Sequence, residues 1–340
     1  MMSSTIKHHL SLNGTLQHSL LKGILRLILG LYIMAYQTEL TQADTVTGNN
    51  SPTLAYNLSG YSDWAPVMQF LDVAKSMRPW YGDMEDGSAS FRYEAMKEGG
   101  YLDENGWLKE IPEGVSNVAT IWQWNGRDKA FAEDVRGVYV MEYEGTGEVA
   151  MTGDARIISS EPGRIVFENM SGSNVFMRIY STDPEGTGDY IRDVTVVAEK
   201  NLPLYEAGAV YNPAWLELIE DARELRFIGW MPTTNATISS WDERSSPEGM
   251  FWHGGVPVEY MVKLANEVGA DPWFTIPHTA DEDYIRNFAI YVRDNLDPGL
   301  KAKVEYSNET WNWAFQQTHW LHAKAEEEWG VKGGQNEYYV

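Results

Sequence analysis

The stretch that decides the fold is GADPWFTIPHTADEDYIRNFAIYVRDNLDPGLKAKVEYSNETWNW, residues 269–313. It reads as strand, helix, strand. Pro272–Ile276 (PWFTI) is a short apolar run of the kind that forms a buried strand. Asp281–Leu296 follows with helical spacing, opened by an Asp cap and closed before Pro298. Lys303–Tyr306 (KVEY) is the next strand. The same alternation extends upstream. Pro213–Arg223 predicts a helix and Leu225–Trp230 (LRFIGW) a buried strand. Val256–Val268 predicts an amphipathic helix with Pro257 in its first turn and Gly269 as its stop. Downstream, Ala314–Trp329 predicts one more helix. Strands alternating with helices imply right-handed βαβ units and a parallel sheet.

Working outward, Leu54–Ser59 (LAYNLS) reads as an earlier strand and Phe70–Met77 (FLDVAKSM) as a helix stopped by Pro79. Residues 80–120 read as irregular, punctuated by glycines. Residues 135–200 change character: short runs rich in Val, Ile and Tyr, several alternating apolar with polar, broken by Gly, Pro, Asn and Asp. This spacing predicts an antiparallel β-sandwich. The α/β pattern then has four strands, 54–59, 225–230, 272–276 and 303–306, each followed by a helix. That is the first half of a (β/α)8 TIM-type barrel with the β-rich block inserted. The expected layout is 53–79 for the first strand and helix, 80–205 for the inserted domain, and 206–340 for strands two to four. Tyr338-Tyr339-Val340 reads as the start of another strand, so the sequence is expected to be a C-terminally truncated fragment.

Residues 1–26 carry Lys7, Lys22 and Arg26 and no acid, and Leu27–Ala35 is apolar. This run is too short for a span, which needs roughly 20 residues. The pattern predicts an export signal or anchor over 1–43, a linker over 44–52, and a secreted, periplasmic or cell-surface location. The 340 residues hold 26 Lys+Arg against 49 Asp+Glu, a net charge of −23. So acidic a chain repels phosphate backbones and anionic lipid, which argues against nucleic acid, and against membrane contact beyond the export signal. With no cysteine, thiol nucleophiles, zinc-thiolate sites and iron–sulfur clusters are excluded. The absence of Gly-rich phosphate loops leaves no cofactor expected.

Reacting groups in (β/α) barrels sit at the C-terminal strand ends. Here those ends carry Asn57 and Trp64, then Trp230 and Asn235, then His278, then Asn308, Glu309 and Trp311. Amides, carboxylates, an imidazole and indoles suit sugar hydroxyls and sugar faces. His278 reads equally well as structural, and Asn235 reads rather as a loop cap than as a sugar contact. The 14 Trp are explained mostly by core packing; Trp122 and Trp124 could instead form a stacking platform. His319 and His322 read as surface residues, and no metal site is expected. A carboxyl held in an aromatic-lined site is disfavoured as the anion, so Glu309 could donate a proton to a leaving oxygen.

VEYSNETWNW, with Asn308-Glu309 past the fourth strand and Trp311 and Trp313 beyond, resembles clan A, the superfamily of retaining glycosidases built on (β/α) barrels. The wider context from about residue 54 to the end looks like bacterial secreted proteins described as cellulose-binding or glycosidase-like. The resemblance implies a polysaccharide or oligosaccharide substrate, Glu309 as general acid/base and Asn308 on the sugar 2-hydroxyl. It also implies a nucleophilic Glu on a seventh strand, which this sequence does not reach. Glu305 lies inside the fourth strand and is expected to point elsewhere. A non-catalytic polysaccharide-binding or adhesion protein on the same barrel is the alternative.

Overall fold

The computed structural model describes residues 54–332 apart from 66, 126–128 and 253. The export-signal, linker and final-strand expectations, over 1–43, 44–52 and 338–340, fall outside the described residues. The first strand among the described residues is β1 (Ala55–Asn57). Nine further strands follow: β2 (Tyr81–Met84), β3 (Phe91–Arg92), β4 (Val115–Trp122), β5 (Gly137–Glu144), β6 (Gly147–Gly153), β7 (Ala155–Glu161), β8 (Arg164–Asn169), β9 (Val175–Thr182) and β10 (Arg192–Ala198). The last three are β11 (Glu224–Arg226), β12 (Asp271–Ile276) and β13 (Lys303–Tyr306). The helices are α1 (Tyr93–Glu98), α2 (Lys129–Asp134), α3 (Leu202–Glu206), α4 (Pro213–Glu217), α5 (Val258–Val268), α6 (Glu282–Asn295) and α7 (Gln316–Trp329).

Two kinds of sheet result. β1, β11, β12 and β13 lie side by side in that order, all parallel. The strands between β1 and β11 form two antiparallel sheets, ordered β10-β5-β8-β7 and β3-β2-β4-β9-β6. The protein is thus mixed α/β, with an open parallel sheet of four strands among the described residues. Both antiparallel sheets bury side chains in one hydrophobic cluster, including Val118, Trp122, Met177 and Ile179 from one and Tyr139, Met141, Phe167 and Val196 from the other. Trp122 and Trp124 are each 1% exposed within it, so they are core rather than a surface platform.

A second cluster underlies the parallel sheet. Leu225, Phe274 and Ile276 meet Met261, Val262 and Leu264 of α5 and Tyr284, Phe288 and Val292 of α6. Each helix has an end signal that the sequence predicts, an Asp cap opening α6 and a Gly closing α5. Asp281 accepts the Tyr284 N–H at 2.7 Å at the start of α6. Gly269 ends α5 at φ 72°, the left-handed conformation in which glycine has no Cβ penalty.

Three expectations are corrected. Residues 80–120 are not irregular: they hold β2, β3, α1 and β4. β4 is buried almost continuously, so it lacks the alternation by which a half-buried strand is read. The helix expected over Phe70–Met77 is only a 3-10 turn at Val73–Ser76. Tertiary pairing wins there, because Phe70 and Asp72 form antiparallel bridges with Tyr211 and Val197. The helix expected over Pro213–Arg223 stops at Glu217. No helix among the described residues is long and apolar enough to cross a membrane.

Candidate functional site

Strand register decides which side chains share a face. Asn57 pairs with Arg226, Arg226 with Trp273, and Trp273 with Lys303, while Thr275 pairs with Glu305. Side chains alternate along each strand. One face therefore carries Leu225, Phe274 and Ile276 beneath the helices. The other carries Asn57, Glu224, Arg226, Trp273, Thr275, Lys303 and Glu305.

Arg226 is the hub of that polar face and reaches every strand of the sheet. Its guanidinium donates to Glu305 Oε2 at 2.7 and 3.1 Å and to Asn57 Oδ1 at 3.3 Å, and it lies 5.1 Å from the centre of the Trp273 ring. It also donates to Asn308 Oδ1 at 3.3 Å. Lys303 and Glu224 form a second ion pair on the same face. Glu305 is thereby tied to the guanidinium that contacts Asn308, rather than standing apart from the strand-end cluster.

The turn after β13 is strained. Ser307 and Glu309 have φ of 59° and 45°, on either side of Asn308. Left-handed backbone at non-glycine residues costs on the order of 1–3 kcal/mol each and persists only where the surroundings over-determine it. Here they do. Ser307 N–H donates to the Ile276 carbonyl at 2.7 Å, and buried Gln317 donates to the Asn308 carbonyl at 2.7 Å. The Glu309 carbonyl accepts the Asn312 N–H at 2.9 Å. The Glu309 carboxylate is half-buried and accepts from Asn312 Nδ2 at 2.8 Å. Such a turn aims Asn308 and Glu309 from a rigid frame.

The other expected site residues divide. Asn57 joins the Arg226 network directly. Asn235, itself at φ 54°, accepts the Gln316 N–H at 2.8 Å and donates its own N–H to Gln317 at 3.1 Å, so its side chain caps α7. His278 follows β12 and is 3% exposed, with its ring edge-on to Trp320 at 5.4 Å. Burial lowers its pKa below the usual 6.5. Its Nδ1 is buried without a hydrogen-bond partner among the described residues. Trp311 is 67% exposed. Trp64 is exposed and carries the Arg78 guanidinium at 4.9 Å over its ring, and Arg78 pairs with buried Asp63.

Trp230 is the clear departure. Expected at a strand end facing the mouth, it is fully buried, stacked on Trp215 at 5.9 Å and against Phe70 at 5.3 Å. β11 ends at Arg226, and a turn then folds Trp230 back, its N–H donating to the Phe227 carbonyl at 2.8 Å. Gly229 makes this possible: a Cβ there would meet the Leu58 carbonyl oxygen at 2.4 Å.

Nothing in the local sequence marks Arg226, Trp273 or Gln317. Arg226 is hidden beside the apolar run LRFIGW and Gln317 in the first turn of a helix. The readable signal is register, since the partner of a strand-end Asn on a parallel neighbour shares its face. His319 and His322 flank the Trp313 ring at 5.3 and 4.5 Å. No group of three His, Asp or Glu side chains arranged for a metal occurs among the described residues.

No family model matches the chain, and no curated protein matches it. Two solved structures are similar over part of it, both of a β-glucosidase from Kluyveromyces marxianus, one in complex with glucose. Identity is 11% and the TM-score 0.21, over 65% of this chain. The chain spans 27% of the length of that enzyme.

Proposed function

We propose that the protein is an exported carbohydrate-active protein and that its site is the polar strand-end cluster around Asn308 and Glu309. On this reading the parallel sheet is the first half of a (β/α)8 barrel of the clan A glycosidase type, and the two antiparallel sheets are an inserted sandwich. Glu309 protonates the leaving glycosidic oxygen and then activates water. Asn308 holds a hydroxyl next to the scissile bond, where a hydrogen bond that strengthens in the transition state accelerates the reaction. Exposed Trp311 offers a ring face to a sugar.

The observation that carries the reading is the strained Ser307–Glu309 turn at the C-terminal end of β13. Strain held in place by neighbouring hydrogen bonds pre-organises an amide and a carboxylate side by side. Retention also needs a second carboxylate about 5–5.5 Å from the first. Binding without turnover is the second reading, and one observation favours it: Glu305, the neighbouring carboxylate on β13, is engaged by Arg226.

The test is release of reducing sugar from a polysaccharide panel by the protein and its Glu309→Gln variant. Loss of a general acid lowers the rate about 10²–10⁴-fold, with glycan binding retained on affinity gels. Equal release by both would remove Glu309 from the mechanism. Binding by both without release from either would favour the second reading.

A further inference from the structure

A different place in the fold has the chemistry of a ligand site. Where the turn at Val73–Ser76 meets the start of β10 and the segment 247–260, an open cleft of about 230 Å³ is lined by Asp72, Lys75, Asp193, Tyr205, Glu248 and Tyr260. Clefts that bury drug-sized ligands run to roughly 300–1,000 Å³. This one suits a single ring.

Lys75 is the one cation among the described residues of its lining. The ammonium lies 5.5 Å from the centre of the Trp252 ring and 5.9 Å from that of Trp107, and donates one hydrogen bond, to the Gly249 carbonyl at 2.8 Å. An ammonium has three donors, and Lys75 makes no ion pair among the described residues. Burial lowers its pKa, opposed by the carboxylates of Asp72, Asp193 and Glu248. Asp72 Oδ1 is already bonded to the N–H groups of Ala74 and Val196, at 2.9 and 2.8 Å. Asp193 and Glu248 are exposed. Asp193 sits at φ 51°, a left-handed conformation at a residue on the cleft wall.

Asp72, Asp193 and Glu248 face Lys75, and the Arg192 guanidinium lies 3.8 Å from Asp193; the balance is still acidic, which disfavours an anion. A cationic guest would compete with Lys75, which already occupies the aromatic surface as a built-in ammonium. What remains complementary is a neutral ring with many hydroxyls. Its hydroxyls donate to Asp193 and Glu248 and accept from Lys75, and its C–H face lies on the half-buried rings of Tyr205 and Tyr260.

We propose that this cleft is a monosaccharide-sized binding site for a neutral sugar ring, separate from Glu309. It does not depend on the Glu309 reading. The test is ligand-observed NMR with the full chain and four neutral probes: glucose, galactose, mannose and xylose. Glucose 6-phosphate and choline serve as the anionic and cationic arms. Asp193→Gly suits the left-handed backbone and Glu248→Ala is on the surface, so the double variant is expected to keep the native circular dichroism and Tm.

The expected result is millimolar binding of at least one neutral sugar, weakened about tenfold or more in the double variant, since each lost bond involves a charged acceptor. Binding is unchanged in Glu309→Gln, and neither charged probe binds more tightly. Absence of binding by all four sugars overturns the proposal. So does equal binding by wild type and the double variant, tighter binding of choline or glucose 6-phosphate, or loss of sugar binding in Glu309→Gln alone.

Discussion

The antiparallel sheets and the parallel sheet use the same aromatic-rich vocabulary for opposite ends. In the antiparallel region the large rings point inward: Trp80, Trp107, Trp122 and Trp124 are fully buried in one cluster. In the parallel region one face is equally apolar, under α5 and α6. The other holds Asn57, Arg226, Trp273, Lys303 and Glu305 and ends in the strained turn at Ser307–Glu309. The comparison teaches that composition alone does not mark a site. Apolar positions in both regions obey local rules; left-handed non-glycine backbone falls among polar residues, at Ser307 and Glu309 and also at Asp193 in β10.

The largest expected effect sets a buried Trp against an exposed one. Trp124→Ala removes a ring from the core and is expected to cost about 3–5 kcal/mol in denaturant unfolding. Trp311→Ala is expected to change stability by no more than about 0.5 kcal/mol, while weakening glycan binding. Similar losses of stability from both would dissolve the division between the two regions.

Next comes the hub. Arg226→Met leaves Glu305 without its partner, and both side chains are only about one-fifth exposed, 22% and 23%. A loss of about 1–3 kcal/mol is expected, the range for a buried polar group left without its hydrogen bond, the partial exposure of Glu305 offsetting the extra cost of its charge. Glu305→Gln in the same background should restore part of it, and a double-mutant cycle measures the coupling. Additive single effects would show that the pair does not organise the face.

The smallest effect is a pH dependence. Burial lowers the His278 pKa from 6.5, so the folded chain favours the neutral ring. Between the folded value and 6.5 the unfolded chain binds more protons, so stability rises with pH across that window. The contribution is therefore fully present above pH 6.5 and lost as pH falls through the lowered value. His278→Gln should flatten the acid limb of Tm against pH relative to wild type, which calorimetry reads directly. Parallel curves would mean that His278 does not titrate on unfolding.

The helices and strands of residues 256–306 were the most legible part, because caps and breakers are local: Asp281, Gly269 and Pro298 act within one turn of chain. What escaped was decided by distant partners. Phe70–Met77 has helical spacing, yet bridges to Tyr211 and Val197 hold its first residues extended. β4 gave no alternation because nearly all of it is buried. At the site, Asn308 and Glu309 stood out as polar residues just past an apolar run. Arg226 and Gln317 did not, because their roles depend on which strand lies beside which. Trp230 was misplaced for the same reason: the strand ends earlier than its apolar run does, and the turn at Gly229 sends the ring into the core.

The central claim is that Glu309 delivers a proton to a departing oxygen. The most direct measurement compares wild type and Glu309→Gln on two aryl glycosides of the same sugar, one with a strongly acidic phenol as leaving group and one with a weakly acidic phenol. Proton donation matters most where the leaving group is poor. The account predicts a large loss of cleavage rate for the poor leaving group and a far smaller one for the good leaving group. An equal loss on both, or none on either, would contradict it.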